Sequence, residues 1–171
     1  SPGGVGFDIC CGVRLLASAL TEAEFHRHRD AIMGELDARI PRGLGKGAVA
    51  AERLLAAVLE RGAAAALDAG FGVSEDLERC EERGLSSGAR PGAVSARARE
   101  RGGGQLGSLG AGNHFLEVQV VDRVEDAAAA EAFGLAPGMV TVMIHCGSRG
   151  LGHQVCTDYL AGMGPAMRRH G

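Results

Sequence analysis

The chain has 171 residues and a formal net charge of -3, with 18 Lys and Arg against 21 Asp and Glu, which argues against a broadly basic nucleic-acid-binding surface and leaves room only for a local basic cleft. Twenty-eight glycines, five Phe, one Tyr and no Trp describe a backbone of tight turns and close approaches rather than a core of large rings. Five cysteines, with Cys10 and Cys11 adjacent, give no small secreted disulfide framework. No apolar run reaches the roughly 18 residues of a membrane span, and the first residues show no signal pattern. The expectation is a soluble, cytoplasmic protein of one domain, with no membrane association.

In chain order, "SPGGVGFDICCGVRLLASAL" is glycine-punctuated to Gly12 and then apolar, which predicts a loop delivering Asp8 and Cys11 to a short strand near Val13 to Ala17. The start lacks Met and already lies inside a dense motif, so the sequence is expected to be cut from a longer one. Thr21 with Glu24 three residues on forms a capping box, and Phe25, Ile32 and Leu36 follow at helical spacing, predicting a helix from Glu22 to Ala38. His26 and His28 fall on different sides of it, as a solvated surface does. "IPRGLGKG" breaks the helix; it is no phosphate loop, because Gly47 follows the lysine.

Ala48 to Ala69 predicts one long helix or two broken near Gly62. "SEDLERCEERG" predicts a short acidic helix, and Pro91 to Arg101 another whose Arg97, Arg99 and Arg101 form a solvated face. The glycine loop "GGGQLGSLGAG" leads to the alternating strand that starts after His114. A short helix near Glu125 to Phe133 follows, then a buried strand from Met139 that ends at His145. The loop "GSRGLGH" precedes a last helix, "HQVCTDYLAGM". Strands separated by helices predict an α+β (mixed α/β) fold with mixed sheets flanked by helices, helix exceeding strand.

Chemistry-bearing residues gather at strand ends beside glycine turns: Asp8 and Cys11, Asn113 with His114 and Glu117, His145 with Arg149. A thiolate, two imidazoles and a carboxylate from distant segments make a first-row metal set of the catalytic rather than the zinc-finger kind. The bland alternative makes Cys11 a small buried hydrophobe and both histidines structural. After His145, the glycines at 147, 150 and 152, a helix N-terminus and the fork of Arg149 read either as an anion site or as an ordinary strand-to-helix connection.

Four blocks, "SPGGVGFDICCGVRLL", "IPRGLGKG", "QLGSLGAGNHFLEVQ" and "IHCGSRGLGHQVCTDYL", together resemble the RtcB family of RNA ligases, from Ser1 to about Leu160. The resemblance implies an incomplete RtcB-like fold and a GTP- and manganese-dependent ligase joining RNA 3'-phosphate or 2',3'-cyclic phosphate ends to 5'-hydroxyl ends, in tRNA splicing and RNA repair. It implies that Cys11 bridges two manganese ions, that Asp8 and His114 serve the first ion and His145 the second, and that Asn113, His114, Phe115, Leu116 and Glu117 contact the guanine nucleotide. It places Arg101 and Arg149 at RNA ends or phosphates. RNA, such as tRNA halves or broken ends, and an archease-like activating protein are the implied partners.

The sequence departs from the family pattern in three ways. No histidine here has the later His-Gly-Ala-Gly context of the guanylylated nucleophile. A further metal histidine and a nucleotide-binding lysine of the family's C-terminal part are also missing, so no catalytic nucleophile is assigned and the chain alone is expected to be inactive. Cys10 stands where the family usually has Asn, placing a second thiol beside the metal. Ligand softness favours zinc, which is expected to compete with manganese and inhibit. The remaining alternatives are a catalytically incomplete metal- or RNA-end-binding module and a metal-dependent phosphodiesterase.

Overall fold

The computed structural model describes residue 4, residues 6–48 and residues 52–170; the parts of the opening loop at 1–3 and 5, and the predicted helical residues at 49–51, lie outside them. The architecture is mixed α/β with more helix than strand, as the alternation of strand and helix signals predicts. The chain forms two compact units. A sheet unit takes Cys11–Gly47 and Ser108–Gly147, and a helical unit takes the residues up to Cys10, Ala48–Gly107 and those from Ser148 onward.

In the sheet unit, β1 (Gly12–Thr21), β2 (Phe115–Val120) and β3 (Met139–Cys146) form an antiparallel sheet in the order β1-β3-β2. The central strand, rich in Val, Thr, Met and Ile, suits a pleated surface with neighbours on both edges, and its Val140 and Thr141 are buried. Val13 and Phe115 both stand opposite His145. β1 outruns the predicted Val13–Ala17 because the pairing with β3 extends to Thr21↔Met139 past an irregularity after Ala17. As an edge strand it leaves Val13, Leu15 and Leu16 exposed.

Thr21 ends β1 and caps α1 (Glu22–Arg39): its hydroxyl accepts from the Glu24 amide at 3.3 Å while the Glu24 carboxylate accepts from the Thr21 amide at 2.8 Å. The Thr21 amide, and then the Thr21 hydroxyl, which donates to Glu24 Oε2 at 2.7 Å, hold the Glu24 carboxyl below its usual range. Phe25 is buried from this helix, and His26 and His28 are exposed on it. α6 (Ala127–Phe133) starts at Asp126, which accepts from the Ala129 amide, and stops at Gly134 in a left-handed conformation open to glycine.

The helical unit holds α2 (Glu52–Arg61), α3 (Ala63–Asp68), α4 (Ser74–Glu78), α5 (Ala96–Gly103) and α7 (Arg149–His170). The break between α2 and α3 falls at Gly62, as the sequence predicts: its φ is 60°, and a Cβ there would strike the Gly84 carbonyl. Leu55, Ala65, Ala98 and Cys156 are buried here.

Two expectations are corrected. The single helix from Pro91 to Arg101 is instead a 3-10 turn at Pro91–Ala93 followed by α5, because Ser95 takes an extended conformation and its hydroxyl accepts from the Ala98 amide at 3.1 Å, starting a new helix. The last helix begins at Arg149 rather than His153 and runs on to His170 through Pro165. Gly150 and Gly152 therefore sit inside a helix, not in a turning loop. Gly150 is needed for proximity to α5: a Cβ there would lie 3.1 Å from the Arg101 carbonyl oxygen.

Candidate metal centre

Antiparallel pairing on both sides of β3 sets the starts of β1 and β2 beside its end. Cys11 immediately precedes β1, His114 immediately precedes β2, and His145 is the penultimate residue of β3, so three distant segments present side chains at one edge of the sheet. The Cys11 sulfur lies 3.0 Å from His145 Nε2 and 3.3 Å from His114 Nε2. All three ligand atoms fall within 4.8 Å of one another. The two imidazoles meet edge to face at 5.4 Å between ring centres, and Phe115 stands edge-on to His145 at the same separation.

The loop ahead of His114 is held from two directions. Gly43, in the "IPRGLGKG" segment, donates its amide to the Gly110 carbonyl at 2.8 Å, and the Cys146 thiol donates to the Leu109 carbonyl at 3.4 Å. Gly110 and Gly112 take φ values of 98° and 77°, which a side chain would resist. His114 is thereby buried at 7% exposure while Cys11 is exposed. Cys11 is thus no small buried hydrophobe, contrary to the bland alternative. One sulfur and two imidazole nitrogens at these separations fit a divalent first-row ion.

None of the cysteines is in a disulfide. Cys10 is exposed and takes a left-handed φ of 59°. That conformation tolerates Asn better than other non-glycine residues, a physical reason for the Asn expected there from the resemblance.

In β2, Phe115 and Glu117 share one face and Leu116 the other. Glu117 accepts a hydrogen bond from the Gln119 side chain at 2.6 Å, and Asn113 is exposed. In the helical unit, the Ser148 hydroxyl donates to Asp8 Oδ1 at 2.9 Å. Arg149 is half-buried at the start of α7 with a φ of 54°.

The arginine run is corrected from a plain solvated face. Arg99 donates from Nε to the Val94 carbonyl at 3.2 Å and from Nη2 to the Pro91 carbonyl, holding the turn before α5. Arg101 Nη1 and Arg97 Nε both donate to Gln154 Oε1, at 2.8 and 3.3 Å. Gln154 Nε2 donates to Asp158 Oδ1 at 2.8 Å, and the Ser95 hydroxyl donates to Asp158 Oδ2 at 2.6 Å. The hydroxyl of Ser95, then the Gln154 amide, then the charge of Arg97 hold the Asp158 carboxyl below its usual range. Sequence reasoning missed Ser95, Gln154 and Asp158. The available signals were the capping position of Ser95 and the four-residue spacing of Gln154 and Asp158, which shares a helix face.

A family model for tRNA-splicing ligase RtcB matches residues 1–171. The chain is similar to the RNA-splicing ligase RtcB of Mycobacterium tuberculosis, 55% identical over 175 residues, covering 100% of the chain and 40% of the relative. It is 52% identical over 173 residues to the tRNA-splicing ligase RtcB of Archaeoglobus fulgidus, covering 100% of the chain and 36% of the relative. It is 46% identical over 162 residues to the RNA-splicing ligase RtcB homolog 1 of Entamoeba dispar, covering 93% of the chain and 30% of the relative. The chain spans two fifths or less of the length of these relatives.

Proposed function

Because the chain belongs to the RtcB family, we propose that it carries the metal-binding part of a GTP- and manganese-dependent RNA ligase, one that joins RNA 3'-phosphate or 2',3'-cyclic phosphate ends to 5'-hydroxyl ends. The observation that carries this reading is the meeting of Cys11, His114 and His145 at one sheet edge. In it, the Cys11 thiolate and the two imidazoles would hold manganese. Such ions, when bound, supply charge neutralisation on a triphosphate or RNA phosphate and alignment of the attacking group.

The chain's own residues bind and orient. Buried His114 follows a glycine loop whose Gly110 carbonyl accepts from the Gly43 amide, and its ring meets the Cys11 sulfur and the His145 ring. Asp8 adds a carboxylate to the metal set, oriented by the Ser148 hydroxyl. Asn113 through Glu117 contact the guanine nucleotide, with exposed Asn113, Phe115 and Glu117 offering an amide, a ring face and a carboxylate. Arg101 and Arg149 meet RNA phosphates. The substrates in this reading are tRNA halves or broken RNA, with an archease-like protein as activator, in the cytoplasm. Among the described residues, no helix is long and apolar enough to cross a membrane.

The test is a manganese titration of the chain followed by electron paramagnetic resonance, with zinc as competitor. The unsubstituted chain is expected to bind manganese and release it to zinc. Cys11→Ala and His145→Ala are expected to lose binding. Undiminished manganese binding by Cys11→Ala would overturn the proposal.

A further inference from the structure

Arg101 is held at both ends. At its backbone, Gly150 of α7 approaches so closely that a Cβ there would lie 3.1 Å from the Arg101 carbonyl oxygen and 3.2 Å from its Cβ. At its guanidinium, Gln154, four residues further along α7 and on the same face, accepts from Nη1 at 2.8 Å. Gln154 is buried at 6% exposure and its amide is used at both ends. The orientation of that amide is dictated by its neighbours: a guanidinium only donates, so it must face the oxygen, and a carboxylate only accepts, so it must face the nitrogen.

The relay closes on itself. Ser95 caps the first turn of α5, donates to Asp158, Asp158 accepts from Gln154, and Gln154 accepts from Arg97 and Arg101 of the same α5. A closed ring of short side-chain bonds removes rotamer freedom from an otherwise flexible arginine. The acceptor against the two guanidiniums is a neutral amide oxygen. A carboxylate in that place would pair with the cations and oppose their attraction for an anion, whereas an amide occupies one of the five donors of Arg101 and leaves its charge undiminished.

We propose that Gln154 is the positioning residue of Arg101, fixing its guanidinium through a neutral amide oxygen for an RNA phosphate. This rests on the reading above in which Arg101 meets RNA. Asp158 and Ser95 serve Gln154, and Arg97 shares its oxygen.

The test measures binding of the chain to a short single-stranded RNA ending in 3'-phosphate or in 3'-hydroxyl, across a salt series, with circular dichroism melts as a check on folding. The unsubstituted chain is expected to prefer the 3'-phosphate. Arg101→Met is expected to weaken that binding roughly ten- to a hundredfold and to reduce the salt slope by about one. Gln154→Met is expected to weaken it about three- to tenfold, and the double variant to bind no worse than Arg101→Met alone, because Gln154 acts through Arg101. A merely structural Gln154 would add its loss to that of Arg101. Gln154→Glu, which keeps the shape and brings a carboxylate, serves if the Met variant does not fold, and is expected to lose at least as much. No preference for the phosphate end, or wild-type binding by Arg101→Met, overturns the phosphate reading and the inference with it. A loss at Arg101 with wild-type or additive behaviour at Gln154 overturns the inference alone.

Discussion

The Cys11–His114–His145 group and the Arg101–Gln154 group achieve rigidity by different means. In the sheet unit, main-chain pairing does it: each of the three residues lies at or next to a strand end, so the register of β1 and β2 on β3 largely decides where sulfur and nitrogens meet. Short side chains on a paired backbone have few rotamers to lose. In the helical unit, the backbone gives α5 and α7 their closeness but not the direction of a long arginine, and a chain of side-chain bonds supplies that direction. The difference teaches that the metal-type site should fail when a ligand is removed or the register shifts, while the arginine site should weaken when one neutral polar side chain is lost.

The largest effect that sharpens this contrast is on the ligands themselves. Cys11→Ala is expected to lower zinc and manganese affinity at least about a hundredfold, beyond the loss typical of groups that only support a ligand, with the circular dichroism spectrum unchanged. Chelator competition measures the affinity. His26→Ala, on the exposed face of α1, is expected to change neither quantity. A Cys11→Ala chain that keeps its zinc would break the comparison at its stronger side.

The next effect is on packing. Gly152 is buried in α7, and a Cβ there would strike the Ser148 side chain and come within 3.3 Å of the Ile9 Cβ. Ser148 is not at liberty to swing aside without giving up its bond to Asp8. Gly152→Ala is therefore expected to destabilise the protein by about 1–3 kcal/mol, read as a lower denaturant midpoint, in spite of alanine's better helix propensity. Unchanged stability would mean that α7 is less closely fixed than its glycines imply.

How much of this was legible in the sequence follows the same division. The capping box of Thr21 and Glu24, the break at Gly62 and the stretch from Met139 use local chemistry within a few residues, and each forms where local rules put it. The meeting of Cys11, His114 and His145 is not local. Strand-end positions beside glycines marked the three as candidates, but only the order β1-β3-β2 brings them together. Gly150 and Gly152 misled for a physical reason: glycine serves turns and close contacts alike, and which one depends on neighbours distant in sequence, Arg101 of α5 for Gly150 and Ile9 for Gly152. The cap at Ser95 and the shared helix face of Gln154 and Asp158 left local signals, but the relay across two helices did not, because ordinary polar residues acquire that meaning only from their pairing.

A smaller effect separates the cap from the relay. Ser95→Ala removes both the acceptor of the Ala98 amide and the donor to Asp158, and a lost N-cap costs about 1 kcal/mol. Because Asp158 would then hold Gln154 with one anchor fewer, the same variant is also expected to weaken binding of 3'-phosphate RNA, by less than Gln154→Met. A drop in melting temperature with full RNA binding would leave Ser95 as a cap only.

The smallest effect is in the pH dependence of stability. The Asp158 carboxyl is held below its usual range chiefly by the Ser95 hydroxyl, then by the Gln154 amide and the charge of Arg97. A carboxyl whose value is lower in the folded than in the unfolded chain stabilises the fold above the unfolded value, and that contribution disappears as pH falls through the folded one. Asp158→Asn lacks the titration, so the stability difference between it and the unsubstituted chain should be full at neutral pH and narrow on acidification into and below the ordinary carboxylate range. Urea midpoints of the two proteins at neutral and acid pH measure it. A difference that stays constant across that range would mean that the relay holds Arg101 through shape and neutral hydrogen bonds, and that the charge of Asp158 contributes nothing to the fold.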